Sequence, residues 1–387
     1  MRKQLSGVNV RMRALVTGGA GFIGSHLVSA LLDKGCDIIV LDSLVSRVHG
    51  LAAKPNLPQG VEFLQADVRD KSAWEKALKD VDVVFHQAAY QDYMADYSTF
   101  FHTNVVSTAL LYEVIREQRL DIQKIVVASS QAVYGEGQYE CDNHGRMLPR
   151  ARSSEQMRHA EWEPKCPVCG RTLQASLLRE DYPNPYNQYA LSKYSQEMLA
   201  LRLGRLLGIP TVALRYSITQ GPRQSLLNQY SGVLRIFLRQ IKTNQPLTIY
   251  EDGLQTRDFV HVQDVVNANL HVLRDSRSDY EAYNVGSGER TTVLEYARRL
   301  AAKIAADIES NITGEFREGD NRHSVSSVDK LRALGWAPYL TLDDIMEDFL
   351  AWIEELGDLP DGIPEAEGLM RTKGVLRATS AVSSATD

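Results

Sequence analysis

Two rhythms of apolar residues alternate along the first half of the chain. Short, largely apolar runs at 13–17, 37–41, 81–85 and 125–128 read as strands buried on both faces. Between them apolar positions recur at helical spacing. Phe22, Ile23, Leu27, Ala30 and Leu31 share one face, and Gly35 stops that helix. Further helical stretches fall at 72–78 and 105–116, and 212–215 fits another inner strand. Strand, helix, strand, repeated, predicts crossover units and a doubly wound parallel α/β sheet. Beyond Tyr216 the rhythm changes. Helices are predicted at 228–240, 293–306 and 342–355, with a short strand at 247–250, which together suggest a smaller α/β lobe.

Composition narrows this only slightly. A chain of 387 residues suggests two or three domains and is long enough for a large core without staples. Hydrophobic residues at 44% and charged residues at 24% argue against a mostly disordered chain. A net charge of −6 speaks against a nucleic-acid partner. Four cysteines are too few for a disulfide scaffold. No apolar run approaches the roughly 18 residues of a membrane span, and the N-terminus lacks the apolar core of a signal peptide. A soluble, cytoplasmic protein with no membrane partner is expected.

The first chemistry sits at the glycine turn Gly18-Gly-Ala-Gly-Phe-Ile-Gly24, between a strand and a helix. Glycine permits the tight turn and the close approach of a pyrophosphate, and the helix N-terminus offers free N–H groups. Gly18, Gly21, Phe22, Ile23 and Gly24 are thus candidate cofactor residues. Asp42, at the end of the next strand, suits the ribose hydroxyls and repels a 2′-phosphate, which favours NAD over NADP. Arg47 reads as a surface arginine. The turn makes the sheet a Rossmann domain, assigned to residues 11–215. The second, substrate-binding lobe is assigned to 216–362, and a disordered tail to 363–387.

The second chemistry is Tyr189-Ala-Leu-Ser-Lys193, which places a phenol and an ammonium on one helix face. An ammonium beside a phenol favours phenolate, giving a base able to take a hydroxyl proton. Ser129-Ser130 lies at the carboxyl end of a parallel strand, where ligands sit in such folds.

These residues resemble the extended short-chain dehydrogenases/reductases, in particular the nucleotide-sugar epimerases and dehydratases. The matching pieces run in order: Thr17–Gly24, Asp67-Val-Arg-Asp70, His86-Gln-Ala-Ala89, Asn104, Ser129-Ser-Gln-Ala-Val-Tyr-Gly135, Tyr189–Lys193 and Arg257-Asp-Phe-Val-His261. The resemblance implies Ser130, Tyr189 and Lys193 as catalytic residues. It implies cofactor contacts from Asp67, Val68, Ala88, Ala89, Asn104, Tyr189 and Lys193. It further implies a nucleotide-sugar substrate held by Ser130, Gln131, Tyr216, Asn228, Tyr250, Arg257 and Arg322, with the two arginines on the pyrophosphate. A homodimer through helices near 103–116 and 189–205 is implied as well.

Dehydratases and decarboxylases of this family carry an acid just after the catalytic serine or threonine. Here Gln131 and Ala132 stand there, which points to 4-epimerisation. The stretches 134–141, 221–224 and 250–259 resemble the dTDP-L-rhamnose 4-epimerase group, implying interconversion of dTDP-L-rhamnose and dTDP-6-deoxy-L-talose with tightly bound NAD. A 4-ketoreductase is the rival enzyme reading, disfavoured by Asp42, and an NAD-binding regulator the non-enzymatic one. One position departs from the family: Ile218 stands where an asparagine usually contacts the substrate diphosphate, and Asn228 is a candidate replacement.

Between Gly135 and Tyr189 the chain is longer than the family loop, and the insertion is placed at 138–182. It holds Cys141-Asp-Asn-His144 and Cys166-Pro-Val-Cys169, two ligand pairs 21 residues apart. Cys141, His144, Cys166 and Cys169 can close a tetrahedral structural zinc site. A redox-active pair and unligated thiols are the alternatives. Cys36 and His86 read as buried core residues, and Tyr90, Tyr93 and Tyr97 as candidates to line the sugar pocket.

Overall fold

A computed structural model describes residues 11–50, 55, 57–92, 96–228, 232–304, 308–357, 366–372 and 374–379. Tyr93, expected near the sugar, lies outside the described residues. Seven parallel strands form the central sheet. Their order is Ala282–Val285, Thr211–Tyr216, Lys124–Ser130, Val83–His86, Arg13–Thr17, Asp37–Asp42 and Glu62–Gln65. Successive residues of each strand enter opposite cores. Ala14 and Val16 pack with Leu27, Val28 and Leu31 of helix Phe22–Asp33, while Leu15 packs with Trp74 and Leu111 on the other face. Burial on both faces is why these strands read as unbroken apolar runs.

Three expectations need correction. The first lobe does not end at residue 215. The chain leaves, then returns to lay helix Val262–Arg274 against the sheet and to add strand Ala282–Val285 at its edge. Local periodicity cannot show a return of this kind. Strand Glu62–Gln65, not anticipated, is the other edge, only half-buried and with polar ends. The third correction concerns the tail. Residues 366–372 form a helix, and Leu376–Arg377 pairs antiparallel with Phe316–Arg317. Met370 and Leu376 are buried there and Arg371 pairs with Glu315. A few apolar residues and two ion pairs, Arg371–Glu315 and Arg377–Glu318, hold a segment whose composition reads as tail. Residues 363–365, 373 and 380–387 lie outside the described residues.

The second lobe packs helices Val233–Lys242, Val293–Lys303 and Leu342–Leu356 around Phe237, Tyr296 and Phe349, beside the short strand Leu247–Ile249. The insertion is a three-stranded antiparallel sheet of Gly145–Met147, Tyr139–Cys141 and Gln174–Ala175, with one short helix, Ser154–Arg158. Its apolar centre is small: Tyr139, Cys141, Cys166 and Leu173 are its buried members. Among the described residues no helix is long and apolar enough to cross a membrane.

Candidate active site

A cleft of about 840 Å³ runs across the carboxyl ends of the strands and under the second lobe. Its first half is shaped by backbone. Gly18 adopts φ +66°, and a Cβ there would meet the Ala88 nitrogen at 2.8 Å. A Cβ on Gly24 would lie 2.1 Å from the Gly18 carbonyl oxygen. Both glycines are therefore obligatory for this turn. The helix that starts at Phe22 has no acid in its first turn, so its N–H groups and partial positive charge face the cleft unopposed. Asp42 accepts from the Ala20 and Leu44 amides at 3.1 and 2.9 Å, which fixes its carboxylate at the end of the second strand. Arg47 also lines the cleft, but it is committed to Asp92 (2.5 Å) and stacks 4.1 Å from the Tyr90 ring centre.

Gly18, Gly21, Phe22, Ile23, Gly24, Asp42, Asp67, Val68, Ala88 and Ala89 all line this half of the cleft. Asn104 does not. It is fully buried behind the wall, where its side chain accepts from the Tyr90 amide (2.8 Å) and donates to the Tyr90 carbonyl (3.1 Å) and Ser192 Oγ (2.9 Å). It positions the loop after Ala89 instead of lining the cleft. His86 is likewise a satisfied core residue, between Thr17 Oγ1 (2.7 Å) and Thr108 Oγ1 (3.1 Å). Burial depresses its pKa to about 3, with the Lys193 charge adding to the effect.

At the middle of the cleft Ser130, Tyr189 and Lys193 come together. Ser130 ends its strand and its Oγ accepts from the Ala132 amide at 3.1 Å. Asn187 caps helix Gln188–Leu207 through the Ala190 amide, which sets Tyr189 and Lys193 on the first turns facing the cleft. Burial raises the Tyr189 pKa to about 12, and the hydrogen bond with Ser130 opposes it. Burial lowers Lys193 to about 7, against the attraction of Glu197. The Lys193 ammonium donates to Gln196 Oε1 at 2.6 Å. In this state burial, not the lysine, dominates the phenol. Gln131 lines the cleft and is held by Ser324 Oγ at 2.9 Å. Tyr216 lines it too, although its hydroxyl is bonded to Gln87 and Asn269.

The far half is lined by Ile218, Asn228, Tyr250, Arg257, Arg317 and Asp320, among others. Arg322 is not among the lining residues, and this corrects its expected pyrophosphate role. It is 1% exposed and surrounded by carboxylates: Glu163 (2.8 Å), Glu251 (2.9 Å) and Asp252 (2.7 Å). With Nε, Nη1 and Nη2 of this guanidinium all committed to carboxylates, it is a poor partner for a phosphate. Arg317, which sequence reasoning missed, faces the cleft beside Arg257. Asp320 lies between the two, 2.9 Å from Arg317 and 3.3 Å from Arg257. Arg317 and Arg322 are close in sequence, so choosing the wrong one of the two needed only a small slip of register.

In the insertion, Cys141, His144, Cys166 and Cys169 present ligand atoms that all lie within 4.8 Å of one another. Cys141 Sγ is 3.4 Å from His144 Nδ1 and 3.7 Å from Cys169 Sγ, and Cys166 Sγ is 3.6 Å from His144 Nδ1. Cys36, by contrast, is plain core.

A parallel sheet with a glycine cradle and a Ser–Tyr–Lys group at its strand ends defines a dinucleotide-dependent enzyme of the reductase/epimerase class. The chain belongs to the NAD dependent epimerase/dehydratase family, whose model matches residues 14–154 and 166–286. It is an enzyme of the epimerase type. It is 32% identical to a dTDP-L-rhamnose 4-epimerase of Burkholderia thailandensis, over 89% of this chain and 95% of that one. It is 36% identical to a putative UDP-glucose 4-epimerase of Methanocaldococcus jannaschii, over 88% and 98%. The UDP-glucose 4-epimerase of Thermus thermophilus, solved in complex with NAD, superposes with a TM-score of 0.70 at 30% identity, covering 90% of this chain and 100% of that one.

Proposed function

We propose that this chain interconverts the C4 epimers of a nucleotide-activated 6-deoxyhexose, dTDP-L-rhamnose and dTDP-6-deoxy-L-talose, using tightly bound NAD. The observation that carries this reading is the joint placement of Ser130, Tyr189 and Lys193 at one point of the cleft, with Gln131 and Ala132 where a dehydratase needs an acid. NAD, when bound, supplies the acceptor and donor of the C4 hydride. Tyr189 takes the C4 hydroxyl proton, directly or through Ser130, and later returns it. Lys193 holds the nicotinamide ribose and supports the phenolate. Gln131 has no proton to exchange with the sugar, so elimination across C5 and C6 does not compete. Arg257 and Arg317 hold the diphosphate, exchanging Asp320 for phosphate oxygens. Ile218 contributes only apolar contact where family members donate a hydrogen bond, which places more of that duty on the arginines.

The insertion is read as a structural zinc knuckle. Zinc–sulfur and zinc–nitrogen bonds of about 2.3 and 2.0 Å give tetrahedral edges of roughly 3.8 Å between sulfurs and 3.5 Å from sulfur to nitrogen. The separations above are of that size. All four positions are protein ligands, so the ion is structural. The small apolar centre of the insertion explains why it needs one: a structural zinc contributes on the order of 10 kcal/mol. Metal analysis of protein purified without added zinc should find about one ion per chain, and freely titrating thiols with no metal would refute it.

The chain is further read as a homodimer. Phe101, Val106, Leu191 and Leu206 are exposed on the helical segments 101–118 and 188–207, an apolar face of the kind a partner covers.

The deciding experiment is proton NMR of dTDP-L-rhamnose and related nucleotide sugars incubated with the protein in D2O without reductant. A C4 epimer free of ring deuterium establishes internal hydride return. A 4-keto-6-deoxy product deuterated at C6 would instead make the chain a dehydratase. A reaction that needs added NADPH would make it a ketoreductase.

A further inference from the structure

The charged cluster that sequesters Arg322 joins second-lobe carboxylates to two side chains of the insertion, Arg152 and Glu163, and it adjoins the stretch that carries Arg317. Arg152 of the insertion is buried and bidentate on Glu251 (2.9 and 2.9 Å), and it also donates to the Asp320 carbonyl at 3.0 Å. Glu163 of the insertion accepts from Arg322 (2.8 Å) and lies 3.1 Å from His323 Nε2. Ser154 donates to Glu318 at 2.7 Å, and Trp162 meets Phe316 edge-on at 6.3 Å. Four insertion side chains thus grip residues 316–323, the stretch that presents Arg317 and Asp320 to the cleft and whose Asn321 and Arg322 carbonyls anchor Arg257.

All four lie between the two ligand pairs, in residues 145–165. A metal joining Cys141 and His144 to Cys166 and Cys169 closes the loop that carries them, removing the entropy that would otherwise scatter these groups. Part of that loop, residues 155–165, is the stretch within 14–286 that the family model leaves unmatched.

We infer that the metal-bearing insertion is a positioning element for the diphosphate end of the cleft, acting through Arg152 and Glu163 on the segment that carries Arg317. This rests on the zinc and nucleotide-sugar readings given above. Metal occupancy then governs affinity for the nucleoside diphosphate and leaves the cofactor half untouched, because none of these contacts reaches the glycine turn. Removing Arg152 would leave Glu251 with one guanidinium instead of two and free the Asp320 carbonyl.

The test titrates NAD-loaded, full-length protein with dTDP and with UDP by calorimetry. It compares untreated protein, chelator-stripped protein, and the Cys169→Ser, Arg152→Met and Arg152→Lys variants. Cys169 is an exposed thiol, and C169S is titrated once circular dichroism shows that the two lobes remain folded. Stripped protein, C169S and R152M should bind about tenfold more weakly, with R152K in between. In turnover KM should rise by the same factor at unchanged kcat, with NAD content constant. Unchanged diphosphate affinity after measured metal loss and in R152M overturns the inference. So does a loss of NAD in parallel with the diphosphate. If metal analysis finds none in wild-type protein, the zinc reading fails alone, and the Arg152 series decides the positioning role. Wild-type protein that binds neither diphosphate overturns both the reading of the cleft and this inference.

Discussion

The two halves of the cleft are built on opposite plans. The cofactor half is made of consecutive strand–turn–helix units, and its specificity is largely backbone: two glycines without room for a Cβ, a helix N-terminus, and Asp42 pinned by two amides. The substrate half is assembled from separate stretches around 218, 250, 257 and 317, braced by the insertion and by the C-terminal strand. A site made of backbone tolerates little change anywhere. A site made of side chains on distant segments can be retuned one contact at a time, at the cost of needing braces.

The largest effect is expected where the halves meet. Tyr189→Phe keeps the ring and removes the acid–base group, so kcat should fall roughly 10²- to 10⁴-fold with NAD content unchanged, read by NMR of the product sugar. A KM effect of similar size would move Tyr189 into the substrate-holding set. Next come the two arginines, which separate holding the fold from holding the substrate. Arg322→Met leaves Asp252 without its cationic partner and takes one from each of Glu163 and Glu251, and should cost about 3–5 kcal/mol in denaturant unfolding. Arg317→Gln should leave stability near wild type and raise KM for the nucleotide sugar about tenfold at unchanged kcat. The reverse pattern would restore Arg322 to the pyrophosphate.

A smaller effect reports on the seam between the lobes. His26, on the cofactor helix, sits 2.8 Å from the Pro222 carbonyl and is approached by Arg223 at 2.6 Å. Burial lowers its pKa to about 4, the Pro222 bond opposing and Arg223 assisting. The unfolded chain therefore binds more protons than the folded one between about pH 6.5 and 4. Stability from this site is complete above pH 6.5 and is lost as pH falls through 4. Thermal melts of wild type should fall more steeply across that window than those of His26→Gln; equal slopes would remove His26 as the cause. The smallest effect concerns the outer helices. Leu191→Asp should leave monomer folding intact and shift sedimentation toward the monomer, and an unchanged mass would place any interface elsewhere.

What could be read in the sequence follows the same division. Strands buried on both faces announce themselves as apolar runs, and the glycine turn carries its own geometric reason, so Gly18, Gly24 and Asp42 were legible. Ser130, Tyr189 and Lys193 were legible because two of them share a helix turn and the third ends a strand. The return of Ala282–Val285 to the sheet was not, since nothing local distinguishes a strand's destination. Nor was the division of labour between Arg317 and Arg322. It depends on Glu163, Glu251 and Asp252, which approach from up to 159 residues away. Asn104 was misplaced for a related reason: it serves the cofactor loop from behind, through Tyr90 and Ser192. The helix at 366–372 and the strand Leu376–Arg377 were hidden because an edge strand and two ion pairs leave little trace in composition.

The late arrival of strand Ala282–Val285 also sets a timetable. A ribosome that has released roughly the first 220 residues has delivered the glycine turn, Asp42, Tyr189 and Lys193, yet Thr211–Tyr216 still presents an open edge and helix Val262–Arg274 has not covered its face of the sheet. During synthesis at roughly 5–20 residues per second that interval lasts several seconds. The nascent chain therefore carries an unpaired strand edge next to a nearly complete cofactor site, and capture of NAD before the edge closes would guard the intermediate against pairing with a neighbouring chain.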